Sequence, residues 1–229
     1  MKKLALISIP LVLLLLGVST YLALVVAPTE ATMGDVQRIF YYHVPSGWVA
    51  GLCFTINFLA SLVYLWKRSA ASDALAEASA EVGVVFGAVL LITGPLWARP
   101  VWGIWWTWDA RLTTTLILWL IYVSYLVLRR FASGGQTQVL AAAFAIFGFA
   151  DVPIVYFSIR WFRTQHPAPV IGGGPDSGLA PPILHVFLTN LALFTVLGIL
   201  YLVLRYKLAM QEQKLESAHA QAALRGATQ

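Results

Sequence analysis

Charge is scarce in this chain and cysteine is nearly absent. Only 11% of its 229 residues are charged, while 59% are hydrophobic; a soluble globular domain carries about 25% charged residues. A water-soluble globule is excluded, and an integral membrane protein remains. The single cysteine, Cys53, lies within an apolar run, so no disulfide and no Cys-x-x-Cys redox pair can form; it reads as a small apolar core residue. There is no Gly-Lys-Ser/Thr phosphate loop, which argues against ATP hydrolysis by this chain. No Ser/His/Asp set or metal-hydrolase pattern is present, so the chain is not expected to be an enzyme. Strand-like alternation is missing too, which leaves helices to carry the apolar residues.

Six apolar runs are long enough to cross a bilayer, whose hydrocarbon core takes about 20 helical residues. They extend from Leu4 to Ala27, Trp48 to Trp66, Val82 to Trp97, Leu112 to Leu128, Val139 to Tyr156 and Ile183 to Leu204. The first follows Lys2 and Lys3 as a secretory signal would, but it far exceeds the roughly 7 to 15 residues of a signal core. Pro28 also disfavours cleavage, so the run is kept as an anchor. Later runs end at Lys67-Arg68, Arg129-Arg130 and Arg205-Tyr206-Lys207, and Ser133-Gly134-Gly135 marks a short connection. The expected fold is all-α: six transmembrane helices over residues 1–210, with residues 211–229 a polar cytoplasmic tail extending the last span.

With both termini cytoplasmic, Lys2, Lys3, Lys67, Arg68, Arg129, Arg130, Arg205, Lys207, Lys214 and Arg225 lie inside, and Arg38, Arg99, Arg111, Arg160 and Arg163 outside. That arrangement satisfies the positive-inside rule. The outer set contains no lysine, and arginine's planar fork suits bidentate carboxylate binding better than a lysine point charge. An anionic ligand is therefore expected where three outer loops meet: residues 28–47, 98–111 and 157–182. The net charge of +5 follows from topology and calls for no nucleic acid.

Five of the nine tryptophans stand between Trp97 and Arg111, in Trp97-Ala-Arg-Pro-Val-Trp102-Gly103-Ile-Trp105-Trp106-Thr-Trp108-Asp109-Ala-Arg111. An interfacial belt needs one or two tryptophans per helix end; five, closed by an Asp and an Arg, form a platform for a flat aromatic ligand. Trp102, Trp105 and Trp106 would share one face if the segment were helical, because separations of three and four residues are neighbours there. Histidine placement is the second signal. His43 precedes the second span in Arg38-Ile-Phe-Tyr-Tyr-His43-Val-Pro45, and His166 follows the fifth in Trp161-Phe-Arg163-Thr-Gln-His166-Pro167. The nearby prolines would hold each imidazole on extended backbone, where two of them could clamp a haem iron from opposite faces. A lone interfacial histidine is more commonly a wetted side chain. His185, in the first turn of the sixth span, would be kept neutral by the helix dipole, so spacing alone does not choose two ligands among His43, His166 and His185. His219 in the tail reads as solvated, and Gly172-Gly173-Gly174-Pro175 as a flexible loop.

The segment Trp102-Gly103-Ile-Trp105-Trp106-Thr-Trp108-Asp109 resembles the tryptophan-rich signature WGxxWxWD of the haem-handling cytochrome c assembly proteins at every defined position. In length and span number the chain is similar to that family's six-span branch, the haem exporter C group. The resemblance implies a bis-histidine haem site on the outer face, with His43 and His166 as ligands and His185 excluded. It also implies roles in haem holding for Arg38, Trp102, Trp105, Trp106, Trp108, Asp109 and Arg111. The cargo would be haem b, bound transiently, its propionates met by Arg38, Arg111 and Arg163, with Asp109 holding an arginine or accepting a tryptophan N–H. Implied partners are a periplasmic haem chaperone, the ATPase and permease subunits of an ABC transporter, and a small single-span membrane subunit. The implied location is the bacterial inner membrane, with the site on its periplasmic face. No Cys-x-x-Cys-His covalent haem site is available in the chain itself.

One position departs from the family pattern: Asp151 is charged within the fifth span. It stands roughly 18 Å along that span at 1.5 Å per residue. An uncompensated carboxylate at mid-bilayer costs about 2.5–3.5 kcal/mol, so a partner or a watery cavity is expected. Two other classes compete with haem handling. A membrane b-type haem electron carrier would hold its haem permanently between spans, and a small-solute transporter would show internal repeats and a midplane site in broken helices. Neither accounts for the tryptophan signature. Larger haem lyases need an additional transmembrane haem site for which six spans leave no room.

Overall fold

The computed structural model describes residues 2–132, 136–167, 169 and 178–226. Ser133-Gly134-Gly135, Gly172-Gly173-Gly174-Pro175 and the last three residues of the tail lie outside them. Among the described residues the fold is all-α: α1 (Lys2–Tyr21), α2 (Phe40–Lys67), α3 (Ala70–Trp102), α4 (Ala110–Phe131), α5 (Thr137–Phe149), α6 (Asp151–Trp161) and α7 (Pro181–Gly226). A π-helical turn, Leu22–Val26, extends α1, and a 3₁₀ turn, Asp35–Ile39, leads directly into α2. Six spans long and apolar enough to cross a membrane result, with α5 and α6 forming one of them. That span breaks at Ala150, where Pro153 has no N–H for the Phe149 carbonyl and its ring would clash with it.

Helix α2 is central, packed against α3, α5 and α7, while α1 rests mainly on α7 at the periphery. Hydropathy alone underestimates the two longest helices. The 33 residues of α3 make a rod of ~50 Å at 1.5 Å per residue, longer than the bilayer core. Its start is set by Ser69, whose side chain accepts the Ser72 N–H, and its end by Gly103 at φ 77°, the left-handed cap that glycine adopts without strain. The polar first turns of α3 stay helical because charges pair across the bundle. Asp73 takes a bidentate contact from Arg129 of α4 (2.6 and 3.0 Å) and an amide N–H from Gln213 of α7. Glu77 accepts from Arg129 at 3.1 Å, while Arg205 of α7 pairs with Glu81 at 2.9 Å and Glu212 at 3.0 Å. The tail is thus a continuation of α7 that carries Glu212 and Gln213 into this network, at the end of the bundle opposite the tryptophans.

Two apolar clusters fill the interior. One surrounds the stacked rings of Phe54 and Tyr122, 3.8 Å between centroids. Cys53 is buried in it, as expected of a small core residue. The other, around Phe40, Tyr41 and Phe187, joins the start of α2 to α7, with Trp97 packed against it. Gly83 is required by the first: a Cβ there would stand 2.5 Å from a ring carbon of Phe54. Gly83→Ala is expected to displace that stack and cost about 1–3 kcal/mol through overpacking, read as a lower thermal unfolding midpoint of the detergent-solubilised protein.

Candidate functional site

His43 occupies the first turn of α2, not a loop. Pro45 lies inside the same helix, so the extended backbone expected before it does not form. The 3₁₀ turn feeding α2 and the burial of Phe40, Tyr41 and His43 outweigh the proline preference. The imidazole is buried against α3, its edge on Trp97 (5.8 Å between centroids, T-shaped) and its Cε1 facing Gly94. Its Nδ1 lies 2.9 Å from the Thr93 hydroxyl, and that hydroxyl donates its own proton to the Val89 carbonyl at 2.7 Å. Thr93 therefore acts as the acceptor towards His43, which puts the ring proton on Nδ1 and leaves Nε2 with a free lone pair.

His166 sits on irregular backbone beyond α6, and its Nδ1 lies 2.8 Å from the Pro167 carbonyl. A carbonyl can only accept, so here too Nδ1 carries the proton and Nε2 the lone pair. Burial, and then the neighbouring Arg111 charge, hold its pKa below the ordinary imidazole value, which keeps the ring unprotonated at neutral pH. The centroids of the two rings are 6.4 Å apart and their planes tilted by 31°. A metal–nitrogen bond of about 2 Å on each side would fit between rings at this separation if both Nε2 atoms faced the same ion. His185 is exposed on α7 and does not join them.

The tryptophan segment is not helical as the one-face expectation required. Helix α3 stops at Trp102, and residues 103–109 run in irregular backbone to the start of α4. Trp102, Trp105 and Trp108 are exposed. Trp106 turns inward, its ring edge-on to Trp108 at 5.8 Å, and its indole nitrogen is buried with no partner among the described residues. A buried donor in that state costs about 1–3 kcal/mol, which an incoming acceptor would relieve.

The charged residues are engaged differently from expectation. Among the described residues, Asp109 holds neither an arginine nor a tryptophan N–H. It caps α4 through the Leu112 N–H (3.0 Å) and also accepts from the Thr107 hydroxyl (2.9 Å) and the Gln165 N–H (3.2 Å). One carboxylate thereby ties the tryptophan segment to the segment bearing His166. Arg38 pairs with Asp35 at 3.0 Å, and its fork donates to the carbonyls of Ala23, Leu24 and Ala27 at 2.9, 2.9 and 3.1 Å. Those carbonyls belong to the π-helical end of the first span, where a cation is favoured. Arg38→Ala is expected to fray this end, with deuterium exchange at the Ala27 amide faster by about tenfold, given ~1.5–3 kcal/mol for hydrogen bonds to a charged group. Arg111 donates Nη1 to the Val155 carbonyl at 2.5 Å, leaving Nε and Nη2 unpartnered among the described residues. Arg163 is exposed. Asp151 starts α6 at the span break, and its Oδ2 is buried with no partner among the described residues.

Thr93, Gly94 and Gln165 lie beside the two imidazoles and carried no expectation from the sequence, whereas Trp97, expected only as part of the tryptophan platform, packs against His43. A polar-small pair, Thr93-Gly94, one helical turn before Trp97 in an otherwise apolar run, is the signal for the first two. Gln165 acts through its backbone, which leaves no trace in side-chain identity.

Known proteins provide an independent line. The sequence profile described as Heme exporter protein C matches residues 1–221. A protein of Bradyrhizobium diazoefficiens named Heme exporter protein C is 35% identical over 80% of this chain and 72% of its own length. One of Haemophilus influenzae with the same name is 32% identical over 89% and 83%. A Marchantia polymorpha protein named as a putative cytochrome c biosynthesis ccmC-like mitochondrial protein is 31% identical over 82% and 80%. The chain, a multi-pass helical membrane protein, belongs to the Heme exporter protein C family.

Proposed function

We propose that this protein holds haem b as transient cargo at the tryptophan-bearing end of the bundle and passes it on for c-type cytochrome biogenesis. The observation that carries the reading is the pair His43 and His166: two imidazoles at a separation that admits one iron, each with its Nδ1 proton committed to an acceptor and Nε2 left to ligate. The names of the relatives, which speak of haem export and cytochrome c biosynthesis, point the same way.

Each part of the cargo has a counterpart. Iron takes the two Nε2 atoms. Exposed Trp102, Trp105 and Trp108 offer apolar faces to the porphyrin, and the propionates accept from the unpartnered Trp106 N–H and the free side of the Arg111 fork. Arg38 and Asp109 act through backbone, shaping the site's floor and joining its two segments. In this reading the termini are cytoplasmic, the site is periplasmic in the bacterial inner membrane, and the recipient is a periplasmic haem chaperone. An ABC transporter's ATPase and permease and a small single-span subunit would be neighbours. The protein itself catalyses no reaction. A site at the membrane surface, with one ligand on irregular backbone, favours handing haem over rather than keeping it, as an electron carrier would.

Transfer is the test. Haem-loaded protein is mixed with apo-chaperone, the two are separated, and haem is measured on each. Haem moving to the chaperone at the expense of this protein is the expected result. Haem that stays put while cycling reversibly between oxidation states would replace the reading with that of an electron carrier.

A further inference from the structure

The two imidazoles are held by unequal means. His43 is anchored from two helices at once: its backbone belongs to α2, its Nδ1–H bonds to Thr93 of α3, and its ring meets Trp97 and Gly94 of α3. Moving the ring breaks the Thr93 bond and its packing on Trp97 and Gly94. His166 bonds to the carbonyl of the next residue, which travels with it. Among the described residues, the hydrogen bond that ties this stretch to the rest of the site is Gln165 N–H to Asp109 Oδ2, at 3.2 Å.

We propose that His43 is the resident ligand and His166 the exchangeable one, so that release begins with departure of His166, and that Thr93 and the Asp109–Gln165 bond are their respective positioning groups. The inference rests on the haem-holding reading above. In the exchange the iron–Nε2 bond of His166 breaks, and its electron pair remains on the imidazole. An incoming Lewis base donates a pair of its own, the iron keeps its oxidation state, and His166 keeps its Nδ1 proton. The incoming base thus approaches from the tryptophan-segment side, where Asp109 governs access, while His43 holds the cargo from the bundle.

The experiment mixes the full chain, loaded with ferric haem, with rising concentrations of potassium cyanide in a stopped-flow spectrometer. The limiting rate at saturating cyanide reads departure of the more weakly held histidine. Asp109→Asn keeps the α4 cap, since Asn caps as well as Asp, but loses the charged acceptor for Gln165; an increase of about tenfold in the limiting rate is expected. Gln165→Pro, which removes the N–H itself, should act in the same direction, and Gln165→Ala, which retains it, should match wild type. Thr93→Val should weaken haem affinity by about tenfold or more, the usual effect of removing a ligand's hydrogen-bond partner, without changing the limiting rate, and Thr93→Ser should restore it. The proposal is overturned if Thr93→Val speeds the exchange and the Asp109 and Gln165 variants do not, or if none of them changes it. A wild-type protein without a bis-histidine spectrum would remove the haem-holding reading itself, whereas a normal spectrum with the wrong rate pattern removes only the order of release.

Discussion

His43→Ala and His166→Ala are each expected to abolish the low-spin spectrum of six-coordinate haem in the purified protein, and added imidazole is expected to restore it. Removing the hydrogen-bond partner of a metal ligand costs about 10–100-fold in affinity, so deleting the ligand should cost more than about a hundredfold. Rescue follows from geometry. An alanine at either position leaves an imidazole-sized space beside the iron, bordered for His43 by Thr93, Gly94 and Trp97, and free imidazole fills it with the same donor atom. His185→Ala should leave the spectrum unchanged, because that side chain is exposed on α7 and makes no ring contact with either histidine among the described residues. Equal loss in all three variants, or loss in His185→Ala alone, would contradict the ligand assignment.

The second large effect lies at the other end of the bundle. Asp73 is 5% exposed, and both of its oxygens are held by Arg129. The Arg129 guanidinium also lies over the Tyr125 ring, 5.8 Å from its centroid. Arg129→Ala leaves Asp73 with the Gln213 amide alone and removes the main partner of Glu77. Breaking a buried pair by removing one partner costs about 3–5 kcal/mol, which corresponds to a fall of roughly 6–20 °C in unfolding midpoint for a chain of this size. Asp73→Asn in the same chain should recover much of the loss, since the stranded charge is then gone. A midpoint within a degree of wild type for Arg129→Ala would mean that the network carries no stability.

The spans were legible because apolar length is a one-dimensional property: six runs were expected, and the described residues hold six helical spans. Their ends were less so. Hydropathy placed the start of the second span at Trp48, but the helix begins at Phe40, because His43, Ser46 and Tyr41 are buried by neighbouring helices that no local window sees. For the same reason α3 starts twelve residues before Val82, its acidic first turns neutralised by Arg129 and Arg205 from far along the chain. Residue types at the candidate site were legible from the tryptophan signature and the His-x-Pro and His-Pro contexts. Their engagement was not: a sequence cannot say that Asp109 accepts a backbone N–H 56 residues away, or that Arg38 caps the preceding helix. Thr93 escaped notice because a threonine in a span ordinarily bonds its own helix, and here it does so while also orienting a histidine.

The central claim is that His43 and His166 share one iron. Titration of the purified apoprotein with ferric haem, followed by visible absorption, tests it directly. Saturation at one haem per chain, with the spectrum of a low-spin iron carrying two imidazoles, is the predicted result. A five-coordinate high-spin spectrum, or no saturable binding, would contradict it.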